Sequence, residues 1–402
     1  MEKPIAAIEF GSKKLKLVIG YELEGKVYPV YACTKNYGHA IENGRIDDKE
    51  AVRFAVQSIK DFTDQEMKIK ITIDECLLSL PPIGLYVYTS RQVTGIVNNM
   101  LGDDKKISAL DIKNLLTLTK NSIDQVDNKL VDIIPNNYIL DNSVSYNYAP
   151  VGVESSYLTM LAKVHTLPKE VESEYKEAIT CNDIAIKRTI VAPNAATYLL
   201  ATEPDLPKDY ILVDIGSNLT TVSLIGRTEL YSSLHINWGG DKITDRLITT
   251  FNINYNDADK LKKSYGVNAK LHSYKTGFFS EADENGNSNK YSPEEVEMII
   301  EKEVTDFVQT LNGVIEILLK EYDDSFNDLP IILIGGGSQL RGLGPFLASK
   351  TKAERVYVYK PHVIGARDAT YTNCLGMILE SVYTPSLNED AHGPAGRLTR
   401  EE

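Results

Sequence analysis

The stretch Tyr210-Ile-Leu-Val-Asp-Ile-Gly-Ser-Asn-Leu-Thr-Thr-Val-Ser-Leu-Ile225 decides how this chain is read. It has the pattern of an apolar strand, a tight turn on Gly216-Ser-Asn218 and a second strand running back. A buried strand that delivers Asp214 to its tip, beside a small-residue turn with free backbone N–H groups, can hold phosphate and its metal. Alone, the pattern suits a plain hairpin equally well. The chain repeats it near its start, however. Ile5-Ala-Ala-Ile-Glu-Phe-Gly-Ser-Lys-Lys-Leu-Lys-Leu-Val-Ile19 is again strand, acidic residue (Glu9), Gly-Ser turn and strand. Two such hairpins, about two hundred residues apart, predict two similar halves closing on one nucleotide.

At 402 residues the chain exceeds what one core usually sustains, so two or more domains are expected. Hydrophobic residues make up 43% and charged residues 25%, ordinary values for a soluble globular protein. There is no apolar run of roughly eighteen residues to span a membrane, and no signal-peptide pattern precedes the first strand. A net charge of −13 without a basic stripe argues against a general nucleic-acid binder. Cys33, Cys76, Cys181 and Cys374 lack metal-ligand or disulfide spacing and read as thiols in a reducing cytoplasm. No histidines pair at a metal-binding spacing.

Along the chain, Asp47 or Asp48 can cap an amphipathic helix running to about residue 68, with Val52, Ala55, Val56, Ile59 and Phe62 at helical spacing. Residues 85–165 read as a module of their own: strand, helix from Ser108, and two further strands. Gly239-Gly240 opens a helix whose N–H groups would point outward, a third phosphate-compatible terminus. Residues 257–266 form a charged helix closed by Gly266, and 267–291 a polar hairpin or loop. Ser292-Pro-Glu-Glu295 is a capping box that opens a long helix to about residue 320. On it Met298, Val304, Val308, Leu311 and Ile315 read as core. A buried strand then ends in Gly335-Gly-Gly337, where Ser338 or Gln339 would open a helix and the backbone can approach a flat ligand. Residues 370–380 form a small-residue closing helix, and those beyond Ser381 are tail-like.

This ordered set resembles the actin/DnaK/sugar-kinase ATPase superfamily and, within it, FtsA, the bacterial actin homologue that attaches the division ring to the membrane. The closest features are Asn43-Gly-Arg-Ile-Asp47, the module at 85–165, Gly239-Gly-Asp-Lys-Ile-Thr-Asp245 and Ala258-Asp-Lys-Leu-Lys-Lys-Ser-Tyr-Gly266. The resemblance implies an α/β, actin-like (ribonuclease-H-like) two-domain fold with an inserted subdomain called 1C. The expected division is 1–84 and 166–199 for subdomain 1A, with 85–165 for 1C. Subdomain 2A takes 200–240 and 327–368, and 2B takes 241–326. A closing helix at 369–383 and a tail at 384–402 complete it. It further implies ATP and Mg2+ as cofactors. Gly11, Ser12 and Lys13 would lie at the first phosphate turn, and Asp214, Gly216, Ser217 and Asn218 at the second. Gly239 and Gly240 would approach phosphate and sugar, Asp259 and Lys262 ribose and base, and Gly335, Gly336, Gly337 and Ser338 the adenosine. Magnesium would sit by Asp214, mostly through water, with Glu9 as the second acidic group.

Three departures from the family pattern shape the expectation. Glu9 replaces the usual Asp, Ser217-Asn218-Leu219 replaces a glycine pair and a polar residue, and Ala192-Pro-Asn-Ala-Ala-Thr-Tyr198 lacks the Glu or Gln that orients the attacking water in hydrolysing relatives. ATP binding with little or no turnover is therefore expected.

Lys302 lies where FtsA has a basic residue receiving the acidic, apolar C-terminal tail of FtsZ. The implied partners are that tail, further copies in a head-to-tail filament and later division membrane proteins, with no nucleic acid. The implied place is cytoplasmic, on the inner face of the membrane at the division site. FtsA proteins normally end in a basic amphipathic helix. Residues 391–402 have neither an apolar face nor net positive charge, so a truncated chain or attachment through a partner is expected. The alternatives are a PilM-like pilus-assembly scaffold and a kinase or ATPase of the superfamily.

Overall fold

Alternation along the first strand decides where everything else packs. In Ile5–Phe10, Ala6, Ile8 and Phe10 enter one apolar cluster and Ala7 another, so the strand is buried on both faces. This computed structural model describes residues 4–64, 69–96, 105–123, 127–267, 277–282, 286, 288–320 and 328–383. Ile5–Phe10 pairs antiparallel with Lys14–Leu23, which pairs with Lys26–Asn36. On its other side Ile5–Phe10 runs parallel to Glu75–Leu80, which in turn runs parallel to Ala185–Val191. The second half builds the same object. Tyr210–Ile215 pairs antiparallel with Thr220–Gly226 and that with Glu229–Ile236, while Ile331–Ile334 and Val356–Val358 add in parallel. Each five-stranded sheet thus has the order third, second, first, fourth, fifth, counting only the strands of that sheet along the chain. The duplication expected from the two hairpins holds for whole sheets.

The helices fall into layers around these sheets. Helix α1 (Lys49–Lys60) starts at Asp48, whose Oδ1 accepts from the Ala51 N–H at 2.9 Å. It buries Val52, Ala55, Val56 and Ile59 on the outer face of the first sheet, but it does not continue to residue 68. Asp61 is already extended (φ −122, ψ 100), and Asp61–Asp64 pairs as a strand with Ile69–Thr72. The Thr72 hydroxyl donates to Asp61 at 3.0 Å, and the β-favouring Phe-Thr pair that follows completes the switch.

Helix α2 (Ala109–Asn121), capped by Ser108 and Asp111, covers a separate four-stranded sheet. Its strands are Tyr86–Gly95, Asn128–Leu140, Ser145–Tyr146 and Tyr157–Pro168, with their own core around Leu115, Ile133, Leu158 and Met160. Helix α3 (Lys169–Thr180) joins α1 on the outside of the first sheet. Helix α4 (Ala192–Leu200) lies between the two large sheets.

Helices α5 (Gly240–Phe251), α6 (Tyr255–Tyr265), α7 (Pro293–Lys320) and α8 (Leu343–Lys350) follow the second sheet, and its outer face is covered mainly by α5, α7 and α8. The expected capping box at Ser292 forms: Glu295 Oε2 accepts from the Ser292 N–H at 2.7 Å. Val304, Val308 and Leu311 are core as expected. Met298 is not, being 66% exposed on the solvent side of α7. In the 267–291 stretch, Phe278–Phe279 pairs with Lys290–Tyr291, and the rest of the expected loop lies largely outside the described residues.

Helix α9 (Thr372–Tyr383) returns to the middle layer and crosses α4. Their approach is close enough that a Cβ on Gly376 would lie 2.0 Å from the Ala195 carbonyl oxygen. Residues 384–402, and with them the expected tail, lie outside the described residues. Gly376→Ala must push the two central helices apart, so it should lower stability by about 1–3 kcal/mol. Urea denaturation reads this as a lower midpoint with an unchanged slope.

Candidate functional site

Because side chains alternate along a strand, Glu9 shares the inner face with Ala7, and Asp214 shares it with Leu212. Both carboxylates therefore point into the layer that holds α4 and α9. Each precedes its glycine by two residues, and each glycine closes the same turn. The Gly11 N–H donates to Lys14 O at 2.9 Å, and the Gly216 N–H donates to Leu219 O at 2.9 Å. Among the described residues, the N–H groups of Ser12, Lys13, Ser217 and Asn218 make no hydrogen bond. Two such turns at one cleft suit an anionic ligand such as a nucleotide's phosphates.

The two acids meet through a residue that the sequence pattern did not single out. Asn373 Nδ2 on α9 donates to Glu9 Oε1 at 3.0 Å and to Asp214 Oδ2 at 3.0 Å. Lys16, the cross-strand partner of Glu9, adds an ion pair with Nζ 2.8 Å from Oε1. Burial pushes the Glu9 carboxyl up, the Lys16 ammonium pulls it down, and Asp214 nearby pushes it up again. Burial alone would lower Lys16, but the Glu9 and Asp214 carboxylates outweigh it and hold the ammonium above its ordinary value. The charge between the two turns is thus compensated by an ammonium and an amide, both donors. Among the described residues no group of three or more His, Cys, Asp or Glu side chains could hold a metal ion. Lys16 was readable from the hairpin register opposite Glu9. Asn373, 159 residues beyond Asp214, gave no local signal.

A second cluster spans the cleft. Lys13 Nζ on the first turn lies 2.7 Å from Asp241 Oδ2 on α5 and 3.2 Å from the Tyr255 hydroxyl on α6. The Tyr255 hydroxyl is 3.2 Å from Asp241 Oδ1, and the Lys13 ammonium sits 4.3 Å from the Tyr255 ring centroid. With its amide turned to satisfy its surroundings, Asn218 donates to Asp241 Oδ2 at 2.5 Å and to Ser217 O at 3.3 Å. Burial alone would lower Lys13, while Asp241 and Tyr255 reverse this and raise it.

The glycines are used differently from the expectation of outward-facing N–H groups. The Gly240 N–H donates to Gly216 O at 3.0 Å and the Asp241 N–H to Ser217 O at 2.8 Å, so α5 is docked on the second turn. A Cβ on Gly239 would lie 2.3 Å from Ser217 O, which is why glycine is needed there. Lys262 bonds Thr244 Oγ1 at 2.7 Å, Asp259 Oδ1 at 2.9 Å and Gly240 O at 3.1 Å. It thereby braces the start of α5 while paired with Asp259. Gly335 has φ 80, and a Cβ on it would lie 2.2 Å from Asp214 Oδ1. Gly336–Gln339 is a short 3-10 turn, and the helix opens only at Leu343. Ser338 is buried, with its hydroxyl donating to Gly335 O at 2.7 Å. Lys302 is exposed on α7, away from the cleft. None of these residues lines the cavity of about 790 Å3 beneath α4, between Tyr28, Tyr198 and His362.

The family model described as "Cell division protein FtsA" matches residues 211–376. The chain is 24% identical over 381 residues to the cell division protein FtsA of Staphylococcus epidermidis, covering 94% of this chain and 78% of that one. It is 23% identical over 392 residues to the FtsA of Enterococcus faecalis, covering 96% and 84%. In fold it is similar to a PilM-PilN type IV pilus biogenesis complex (TM-score 0.59, 15% identity, covering 94% of this chain and 98% of that one). It is also similar to MreB 5 of Spiroplasma citri bound to AMPPNP (TM-score 0.55, 12% identity, covering 95% and 96%). The fold is therefore actin-like. Among the described residues no helix is long and apolar enough to cross a membrane.

Lys16→Met leaves the Glu9 carboxylate buried without its cation, which should cost about 3–5 kcal/mol near neutral pH. A protonated Glu9 needs no cation. Its carboxyl, raised further by burial in the variant, favours folding at low pH, and that benefit is lost as pH rises. The deficit against the unchanged protein should thus shrink as pH falls toward the ordinary glutamate value of 4.5, which denaturation at several pH values checks.

Proposed function

We propose that the chain is a division-site adaptor of the FtsA type, with ATP as its conformational ligand, a reading supported by the family match over residues 211–376 and by the FtsA relatives. The observation that carries the nucleotide reading is the pair of equivalent glycine turns, each with an inward acid and free N–H groups, facing each other across one cleft. In this reading Gly11–Lys13 and Gly216–Asn218 cradle the phosphates, while Gly335–Ser338 and Asp259–Lys262 flank the nucleoside. Asp214 would hold phosphate-bound magnesium through water, because Glu9 is engaged by Lys16. The ATP phosphates supply charge that both halves can grip at once, and closure follows from tighter binding to the closed form.

Turnover is slow in this proposal. Helix α4 begins Ala192-Pro-Asn194 and offers no carboxylate to orient an attacking water. The small sheet within Tyr86–Pro168 supports assigning 85–165 to the inserted subdomain. Closed copies associate head to tail, and α7 captures the FtsZ tail. Met298 and Lys302, one turn apart and both exposed, offer an apolar contact beside a cation, which suits an acidic, apolar peptide. That tether and later division proteins would hold the chain at the inner face of the membrane. The pilus-scaffold alternative has a likeness of fold alone behind it, whereas the family match favours division.

Calorimetric titration with Mg·ATP should give micromolar binding, with hydrolysis slower than roughly one per second and pelleting only with nucleotide. A folded protein that binds no ATP would remove the nucleotide from this reading. A fluorescent FtsZ-tail peptide should bind the unchanged chain and lose about tenfold in affinity with Lys302→Glu. Unaltered binding would move the partner site elsewhere.

A further inference from the structure

Asp241 receives three donors from three separate elements. They are the Lys13 ammonium at 2.7 Å from the first turn, the Asn218 amide at 2.5 Å from the second and the Tyr255 hydroxyl at 3.2 Å from α6. An ammonium, an amide and a hydroxyl converging on one anion make the donor set that a phosphate group would take. The carboxylate is not there by chance of a flexible side chain. Its own N–H is fixed to Ser217 O at 2.8 Å, and it sits in the first turn of α5, where the helix dipole favours negative charge. Lys13 and Asp241 have side chains only 12% and 7% exposed, so their attraction is weakly screened.

We propose that Asp241 is an internal stand-in for a nucleotide phosphate. It occupies the anion-binding donors of both turns and clasps the two halves until a phosphate displaces it. The proposal rests on reading the cleft as a nucleotide site. A phosphate entering between Ser12, Lys13, Ser217 and Asn218 competes for the same ammonium and amide, and its charge repels the Asp241 carboxylate. Lys13 then has two partners of the same sign and cannot satisfy both at full strength. The cleft is thus two-state: clasped on its own carboxylate, or closed on ligand. Affinity for nucleotide is lowered by whatever the clasp contributes.

The test uses the full chain and Asp241→Asn, which keeps the side-chain size and removes the charge, with Tyr255→Phe as a milder second variant. Two readouts are taken: the dissociation constant for ATP, and acetylation of Lys13 by acetic anhydride followed by mass spectrometry. Without ligand, Lys13 should be protected in the unchanged protein, labelled readily in Asp241→Asn, and protected again by ATP. ATP should bind Asp241→Asn about tenfold more tightly and Tyr255→Phe a few-fold more tightly. If the unchanged protein binds ATP while Asp241→Asn, still folded, binds no more tightly, the stand-in role is overturned and the nucleotide site survives. If neither binds ATP although Lys13 becomes reactive in the variant, the nucleotide reading fails and the stand-in role falls with it. Lys13 reactivity unchanged by the substitution overturns the clasp directly.

Discussion

Two carboxylates brought to one amide nitrogen set the terms for this molecule. Glu9 and Asp214 lie on inward faces of different sheets, and the Asn373 amide hydrogen-bonds both. Like charges so placed in a buried layer need donors, and the donors must come from elements that can get close enough. Lys16 comes from the neighbouring strand. Asn373 comes only if α9 is seated deep between the sheets, which the bare backbone of Gly376 against Ala195 permits. The tight helix crossing and the charge balance at the cleft floor are thus one arrangement seen at two points.

The repetition of the two halves is close in backbone and loose in chemistry. Both sheets share strand order, turn geometry and the position of the acid. Across the hairpin, however, Glu9 faces Lys16 and Asp214 faces Thr221. The first half carries its counter-charge within the sheet, while Asp214 is packed against Gly335, where any side chain would collide with it. The acid of one half is therefore electrostatically closed, by Lys16, and that of the other sterically closed, by Gly335.

Much of this was legible in the sequence, for local reasons. The strand-turn-strand hairpins, the caps at Asp48 and Ser108, the capping box at Ser292 and the positive-φ glycine stop at Gly266 are written within a few residues each. What was not legible depends on the partner of each group. Nothing near Gly239 in the sequence says that Ser217 will press against it. That Lys262 braces α5 through Gly240 O and Thr244 Oγ1 was likewise not written near it in the sequence. Met298 has helical spacing with the core residues of α7, but it falls at the margin of the buried stripe and faces water. Asn373 carries no pattern at all, since its meaning comes from two acids far away in the chain.

Helix α9 holds a second buried polar contact. Seven residues after Asn373, Glu380 meets Arg188 at 2.8 Å, and the same guanidinium lies 2.8 Å from Asp132 on the long strand Asn128–Leu140 of the small sheet. Seven residues are two helical turns, so Asn373 and Glu380 project from one face about 10 Å apart along the axis. One face of α9 thus meets the cleft floor through Asn373 and, two turns on, Arg188 of Ala185–Val191, whose guanidinium also reaches the small sheet at Asp132, so three parts of the fold converge on a single helix face.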